Sequence, residues 1–505
     1  MTLDWTGHAL VDVGIAALCA VTDKGNPDEL TLEDLDAAAG EMERYYFGGA
    51  LNSYLTCVFM NSEYVQPGTG AKKDESRKRY ADRILRAHRA EPDAAAKGET
   101  CVFSGLPATH RIHRGQMPLL TGEDVLNFFP AAAGGLFVAG PYLTALQALP
   151  LGGRRSEGKL LIAHSDAPAL TLALAKTFVE DNRRLLSLAM SGGLPNTDGP
   201  DERLPREQAS YDTVKKRPKF PDAKAAFTLI GADLLGVLER RRDALENPHE
   251  FVSLDVYWLS SSGQGPSLDL FSVPSYLIRF LARVTQALTS TAWDRTIARG
   301  WAVEAVKKAA SPTRKNAKKP LTLTGPGRSK NAVLEDLFAI YEYGFVDKPS
   351  AHRFVRRHLL SDLRGNIARS EDCSWDLTEL FLKEVLLMSP ERVQRIREFA
   401  DALAAYIEAK NDLSLYHRVT YAKYPWMFRA GLVKAQRASA KKADLLFSFE
   451  DYLQVFEAED STGVADWSLV RDLICIRMVE QLHKSGWLTP ERVKEEDTEE
   501  EEQAV

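Results

Sequence analysis

The sequence predicts an α+β region at the N-terminal end, followed by an all-α helical bundle. Strand-like apolar patterns occur only before about residue 300, and after residue 330 apolar residues recur every three or four positions. The segment between these regions is basic and rich in proline and glycine. We therefore expect four parts: a mixed α+β domain (1–306), a basic linker (307–330), a helical bundle (331–490) and an acidic, disordered tail (491–505).

The α+β region begins with helical signals and then shows a buried strand. Thr31 and Asp34 have the spacing of a capping box at the start of a helix. Residues 159–164 read KLLIAH, which is typical of a short buried strand. Ser165-Asp166 ahead of Pro168 then predicts the cap and the first turn of the next helix.

A hairpin is predicted further along the region. Apolar residues at 252, 254, 256 and 258 alternate with polar ones, as in a half-buried strand. The sequence Ser262-Gly263-Gln264-Gly265-Pro266 interrupts this strand, and Leu268, Leu270 and Val273 belong to the next one. We expect an antiparallel pair with an irregular loop.

Three apolar stripes at helical spacing predict the bundle. The segment 307–330 that precedes them has eight Lys or Arg and no acid, so we interpret it as a mobile basic linker, with a solvated connector that has no partner as the alternative. The stripes are, in order: Val393, Ile396, Phe399, Ala400, Leu403, Tyr406 and Ile407; Leu445, Leu446, Phe449, Leu453 and Phe456; Trp467, Val470, Leu473, Ile474 and Leu482.

Composition is that of a globular protein of a reducing compartment. No run of about 18 apolar residues is present, the first residues lack a basic signal-peptide region, and the five cysteines are scattered. We expect a cytoplasmic protein. The net charge of −6 does not argue against nucleic-acid binding, because seven acidic residues between 495 and 502 account for all of it. Without these seven acids, the net charge of the chain is about +1.

Motifs of common enzymes are absent from the sequence. There is no phosphate-binding loop, nucleophile elbow, zinc-protease motif or acidic metal cluster, so we expect no catalytic activity and no cofactor. His164-Ser165-Asp166 are the residue types of a triad, but adjacent positions cannot converge as a triad, and a helix cap is the better interpretation. Cys101, His110 and His113 supply three soft ligands without a fourth, which does not favour a metal site.

Basic segments are the better guide to function. Residues 72–89 hold eight cations against three acids, while Tyr80, Ile84 and Ala87 form a narrow apolar face. This pattern predicts a docked helix whose cations either bind phosphates or are simply solvated. Its candidate binding residues are Lys72, Lys73, Arg77, Arg83 and Arg86, and a second basic cluster in a predicted loop adds Lys215, Lys216, Arg217 and Lys219.

Several segments, in the same order along the chain, resemble those of a known family. They are Asn61-Ser62, Leu120-Thr121-Gly122 to Asn127-Phe128-Phe129-Pro130, Gln147 to Gly152, His164-Ser165-Asp166, Tyr257 to Ser267 with its GQGP, Val273-Pro274-Ser275 with Phe280-Leu281, and Trp375 to Thr378. Together they resemble the large subunits of type I CRISPR surveillance complexes (Cascade), in the branch that includes the myxobacterial fruiting-body developmental member. The resemblance spans roughly residues 5–485.

The resemblance implies an RNA-guided DNA-binding component. In such complexes the guide RNA reads the target by base pairing, and protein reads only a short flanking motif in duplex DNA. The large subunit would contact that motif, help open the duplex and hold the displaced strand. Its partners would be the guide-RNA complex with backbone and cap subunits, small subunits that its bundle resembles, double-stranded target DNA, and a helicase-nuclease or other effector. No membrane partner is implied.

The resemblance also bears on three amides in predicted loops and on a zinc knuckle found in relatives. Asn61, Asn127 and Gln264 lie in predicted loops and are candidates for reading the flanking motif, although such amides also stabilise turns. Many relatives carry one C-x-x-C pair near the position of Cys101 and a second C-x-x-C pair about 35 residues later. This chain keeps only one of these four cysteines, Cys101. We therefore expect no structural zinc.

Two other classes of function stay open at this point. The chain could be a regulatory or structural protein that binds other proteins and no nucleic acid. It could also be a hydrolase whose site has no recognisable motif. Salt-dependent binding to DNA or to a ribonucleoprotein distinguishes the first expectation from both.

Overall fold

The structure, a computed structural model, confirms an α+β region followed by a helical region. It describes residues 3–47, 51–66, 73–120, 135–156, 159–190, 230–231, 233–238, 252–261, 266–286, 289–298, 332–340, 348–359, 375–422, 424–440, 446–456 and 464–489. These residues form two compact units, one up to Ala282 and one from Arg283 on. The predicted linker 307–330 and tail 491–505 lie outside the described residues, so those boundaries stay predictions.

The first unit combines helices with two small antiparallel sheets. Its helices are α1 (Ala9–Thr22), α2 (Leu32–Phe47), α3 (Asn52–Val58), α4 (Lys73–Tyr80), α5 (Gly140–Ala148), α6 (Pro168–Met190) and α7 (Ser275–Val284), the last of which crosses the boundary. Strands β1 (His110–Ile112) and β2 (Leu136–Val138) form one ladder. Strands β3 (Arg154–Ser156), β4 (Lys159–Ser165), β5 (Leu254–Ser260) and β6 (Ser267–Val273) form the other, in that order.

Helix α1 is the centre of this unit because it is apolar on nearly every side, with Asp12 as its buried polar exception. Val11, Ile15 and Leu18 are all fully buried, and the helix packs against α5, α6 and β4. A helix that is apolar all round is stable only when it is covered on all sides. Gly14 allows the closest of these contacts, since a Cβ there would lie 2.1 Å from the carbonyl oxygen of Ala145.

The predicted strands and caps of the first unit are confirmed. The Thr31 hydroxyl accepts a hydrogen bond from the Asp34 N–H, and the Asp34 carboxylate accepts one from the Thr31 N–H. The predicted hairpin is β5 paired with β6, in a register that joins Leu254 to Val273 and Ser260 to Ser267. Its Leu268 and Leu270 are exposed.

The second unit is helical throughout its described residues. Beyond α7 its helices are α8 (Ala332–Ala339), α9 (Lys348–Phe354), α10 (Trp375–Glu384), α11 (Pro390–Lys410), α12 (Leu413–Thr420), α13 (Pro425–Ala440), α14 (Phe449–Phe456) and α15 (Val464–Lys484). The first and third predicted stripes lie on α11 and α15, which pack against each other. Their members are buried, except Tyr406, which is half-buried.

The prediction for the second stripe was wrong at two positions. Phe449 is 70% exposed and Leu453 is also exposed, while Val455 and Phe456 are the buried residues of α14. The helix is only two turns long and packs through its C-terminal end, so position in the fold overrides its periodicity. Leu445 lies outside the described residues.

Candidate nucleic-acid interface

Five of the twelve predicted binding residues lie in the described part of the chain. Asn61 is exposed just after α3, and the backbone of Lys73 begins α4. Arg77, Arg83 and Arg86 lie on α4 or in the turns that follow it. The other seven lie outside the described residues: Lys72, Asn127, Lys215, Lys216, Arg217, Lys219 and Gln264.

Three backbone segments meet at one place, which we call the loop junction and define as Cys57, Asn61, Gly115, Leu119 and Ser261. The Ser261 N–H donates to the carbonyl of Cys57 at 2.6 Å, and the Leu119 N–H donates to the Ser261 hydroxyl at 3.0 Å. A Cβ at Gly115 would lie 3.1 Å from the Asn61 carbonyl oxygen. Sites far apart in sequence therefore share one small region.

The loop junction is where two predicted loops have their bases. Leu119 immediately precedes the Leu120 segment that contains Asn127, and Ser261 immediately precedes the segment that contains Gln264. Thus exposed Asn61 lies beside the bases of the loops that carry the other two candidate amides. Sequence spacing alone, with more than fifty residues between each pair, could not reveal this.

Leu119 has a backbone conformation that leucine rarely adopts. Its φ is +64°, in the left-handed region where a Cβ meets the backbone. Such a conformation costs about 1–3 kcal/mol and persists only where surrounding contacts hold it. The hydrogen bond from the Leu119 N–H to the Ser261 hydroxyl is one such contact.

A buried polar network contacts the chain next to the loop junction, at Gln116. The Gln147 side chain donates to the Gln116 carbonyl at 3.0 Å and accepts from the Tyr64 hydroxyl at 3.2 Å. The Tyr46 hydroxyl donates to the Gln147 carbonyl at 2.5 Å. Burial raises the pKa of Tyr46 and Tyr64 well above the usual value, so both phenols stay protonated as donors.

The predicted cationic helix lies next to this junction. The Tyr80 hydroxyl donates to the Gly115 carbonyl at 3.2 Å, and the Gln116 amide donates to Tyr80 at 3.3 Å. Tyr80, Ile84 and Ala87 are buried, which confirms the predicted apolar face. The α-helix is shorter than predicted, because it ends at Tyr80 and continues as a π-helical turn over Ala81–Leu85.

Three cations of this segment already have carboxylate partners. Arg83 pairs with Asp93 at 3.0 Å, Arg86 pairs with Glu43 at 2.6 Å, and Arg89 pairs with Asp36 at 2.8 Å. The Arg77 guanidinium lies over the Phe47 ring, 5.7 Å from its centre. The charges of Arg83, Arg86 and Arg89 are therefore partly offset by these carboxylates.

Lys78 and Arg79 are both exposed on α4. Neither makes an ion pair with any residue that the structure describes. A shallow cleft of about 510 Å³ lies beside them, lined by Lys78, Arg79 and Arg83 and by the four carboxylates of Glu75, Asp82, Glu91 and Asp93. Lys78 and Arg79 thus differ from Arg83 and Arg86, whose guanidinium groups are held in ion pairs.

The other predicted clusters have structural contacts. His164 lies 3.1 Å from the buried carboxylate of Asp12, and the Ser165 hydroxyl donates to the Ser253 carbonyl and accepts from the Ala167 N–H, so the three residues do not form a triad. Cys101 and His110 are buried. Within the described ranges, no three His, Cys, Asp or Glu residues are grouped as metal ligands.

A second surface, absent from the sequence predictions, lies on α12, α13 and the turn between them. We call it the aromatic–basic surface: Arg418, Tyr421, Tyr424, Trp426, Arg429, Val433, Lys434 and Arg437, all exposed. Residues 413–443 contain seven Lys or Arg and no Asp or Glu. That acid-free run, interrupted by aromatic residues, is the signal that could have identified it.

Comparisons with known proteins do not assign this chain to a group. No protein-family model, no curated protein and no solved structure matches it. None of the described helices combines the length and the apolar composition that crossing a bilayer requires.

Proposed function

We propose that this chain is the large subunit of an RNA-guided DNA-targeting complex of the type I CRISPR kind, and that its first unit reads a short flanking motif in duplex DNA at the loop junction. One observation carries the proposal. Segments that resemble the family at Asn61-Ser62, Leu120, Gln147 and Ser261 are far apart in sequence, yet they meet at or directly below this junction.

The chemistry of the junction suits groove reading. An amide side chain presents both a donor and an acceptor, and it can match the edge of an adenine in the major groove with two hydrogen bonds. Asn61 is exposed there, and Asn127 and Gln264 belong to loops based there. Lys78 and Arg79 lie on the neighbouring helix α4, where they would contact phosphates and position the duplex.

The proposed role is non-catalytic and cytoplasmic. The guide RNA, held by backbone and cap subunits, would read the target by pairing, while this chain licenses pairing at the correct motif. The helical unit would contact small subunits and the helicase-nuclease or other effector, and the complex would hold the displaced strand. No metal or cofactor takes part in this role.

The direct test is the RNA that accompanies the chain in its own cells. A tagged full-length chain is purified, and the RNA that copurifies is sequenced after a high-salt wash. We expect short RNAs of uniform length in which variable sequences are flanked by one recurring repeat-derived end. Absence of such RNAs, with a protein partner retained, would show instead a regulatory protein-binding function.

The junction itself is tested by one amide substitution in the assembled complex. Asn61→Ala should weaken binding to targets that carry the flanking motif by about tenfold, since a good bidentate amide contact is worth about 1–3 kcal/mol. The salt dependence should stay unchanged because no charge is lost. Asn26→Ala, an exposed amide in the turn between α1 and α2, is the matched control. Equal effects of the two variants would contradict the assignment.

A further inference from the structure

We propose that the aromatic–basic surface of the second unit binds single-stranded nucleic acid, by stacking bases on Tyr424 and Trp426 and by pairing phosphates with Arg429, Lys434 and Arg437. The inference deepens the proposed function by naming a strand-binding surface, and it rests on that function for the source of the strand.

Helix α13 has an inner face that fixes its position. Phe428 packs edge-on against Phe456 and Trp467, with ring centres 5.6 and 6.2 Å apart, and Leu432 and Ala435 are buried on the same side. Arg471 of α15 donates to the Ala422 carbonyl at 2.5 Å and so holds the turn before α13. The surface is therefore built on a rigid support.

The outer face of α13 presents rings and cations together. Trp426, Arg429, Val433 and Arg437 recur at spacings of three and four, which places them along one side of the helix. Trp426 is 63% exposed and Tyr424 is 58% exposed. Large rings exposed to this extent beside one another are unusual for a surface that remains in water.

Helix α12 adds to the same surface. It packs on α13 at Gly431, where an added Cβ would lie 3.3 Å from the Cβ of Arg418. Tyr421, at the end of α12, is 41% exposed and lies edge-on to His417. The cations thus come from two helices and flank the aromatic turn on both sides.

The cations of this surface differ from other arginines of the unit in their ion pairs. Arg418, Arg429, Lys434 and Arg437 are exposed and make no ion pair with the residues that the structure describes. Other arginines of the same unit do pair, for example Arg395 with Glu398 at 3.1 Å. A surface that is positive without local carboxylates attracts a polyanion.

The combination favours a single strand over a duplex. In a duplex the faces of the bases are stacked on one another and cannot reach an aromatic side chain. In a single strand each base has an accessible π-face, and aromatic stacking combined with cations along the backbone is the general mode of binding without sequence preference. DNA and RNA strands share this chemistry.

The test compares three labelled probes with the full-length chain: oligo(dT), oligo(rU) and a mixed-sequence duplex, by fluorescence anisotropy over a range of salt. We expect both single strands to bind more tightly than the duplex. Trp426→Ala should raise the Kd for single strands by about tenfold. Replacing Arg429, Lys434 and Arg437 with Ala should reduce the log–log salt slope by about 2, since each phosphate contact contributes about 0.7.

Phe449→Ala is the matched control, because Phe449 is an exposed ring in the same unit but lies beside the acidic Glu450 and Asp451. It should leave affinity and slope unchanged. Quenching of tryptophan fluorescence by oligo(dT), reduced in Trp426→Phe, reports stacking directly. Tighter binding of oligo(dT) identifies a DNA strand as the ligand, and tighter binding of oligo(rU) identifies RNA.

Two results separate this inference from the proposed function. If Trp426→Ala and the triple variant bind all probes like the unaltered chain, the inference is overturned. If single-strand binding depends on Trp426 but no repeat-derived RNA copurifies with the chain, the surface assignment holds and the CRISPR proposal fails.

Discussion

The segment of residues 72–89, which contains α4 and which we call the α4 segment, and the aromatic–basic surface are both rich in Lys and Arg. They differ in how many of these cations are already paired with carboxylates. In the first, Arg83, Arg86 and Arg89 each contact a carboxylate. In the second, the four described cations contact none in the described structure. The surface that the sequence analysis did not identify is the stronger candidate for binding a polyanion.

The difference comes from residues that are distant in sequence. Glu43 and Asp36 belong to α2, and Asp93 follows the segment, so none of them counts in a local tally of charges over 72–89. Acid residues near in sequence are a poor guide to the acid residues near in space. Available charge is a property of the fold, and it decides which cations can release counterions from nucleic acid.

The largest effect should come from breaking a buried ion pair in the second unit. Arg392 and Asp466 are each only 4% exposed and lie 2.7 Å apart. Arg392→Met leaves Asp466 buried and uncompensated, which should lower the free energy of unfolding by about 3–5 kcal/mol. Urea denaturation followed by circular dichroism measures the change.

Arg429→Met is the control for that experiment, since Arg429 is exposed and makes no described ion pair. Its free energy of unfolding should change by no more than about 0.5 kcal/mol. If the two variants lose similar amounts of unfolding free energy, the buried ion pair of Arg392 does not contribute the expected stability.

A smaller effect is expected on duplex binding by the first unit. Reversing Lys78 and Arg79 to Glu in the assembled complex should weaken binding to all targets alike and reduce the log–log salt slope by about 2. Replacing the paired Arg83 and Arg86 with Gln should change the slope by less than half as much. If the paired residues dominate the slope, their ion pairs exchange for phosphates and the comparison fails.

Acidification should weaken the first unit through buried histidines. Burial lowers the pKa of His88 below its ordinary value of 6.5, opposed by its hydrogen bond to Asp36, and burial also lowers the pKa of His8 and His110. The unfolded chain therefore binds protons that the folded chain does not. The stability is fully present above the unfolded pKa and is lost as pH falls from about 6.5 toward the folded pKa.

The measurement is a pair of thermal melts near pH 7.5 and near pH 5.5, about one unit on either side of the ordinary histidine pKa. His88→Gln keeps hydrogen-bonding groups at this position without a titrating ring, so its Tm should fall less between the two conditions. An identical fall in both proteins would exclude His88 as a contributor.

The smallest effect concerns the exposed ring of α14. Phe449→Ser should change the free energy of unfolding by no more than about 0.5 kcal/mol, because the side chain has little contact to lose. Phe456→Ala, on the same helix but buried, should cost about 3–5 kcal/mol. Comparable losses of stability in the two variants would mean that Phe449 is buried, as the predicted apolar stripe requires.

Local signals predicted the elements of the fold well. Thr31 and Asp34 predict the start of α2, and the Asp34 N–H does donate a hydrogen bond to the Thr31 hydroxyl. The hairpin of β5 and β6 also follows its alternating pattern. These features depend on residues within a few positions of one another, so the sequence displays them directly.

The candidate sites could be predicted only in part. The resemblance pointed to Asn61 and to the Asn127 and Gln264 loops, but their common base depends on hydrogen bonds between Cys57, Leu119 and Ser261. The aromatic–basic surface was missed because Phe428 and Trp426, two residues apart, face opposite environments that only packing defines. Long-range contacts decide such questions.

Gly140 has a consequence for how this protein could change over evolutionary time. A Cβ there would lie 2.2 Å from the Ala87 carbonyl oxygen, so α5 meets the end of the α4 segment at a distance that only glycine permits. Substitution at this position would displace the helix that carries Gln147. A lineage of this protein should therefore keep glycine at position 140 even where neighbouring exposed positions change.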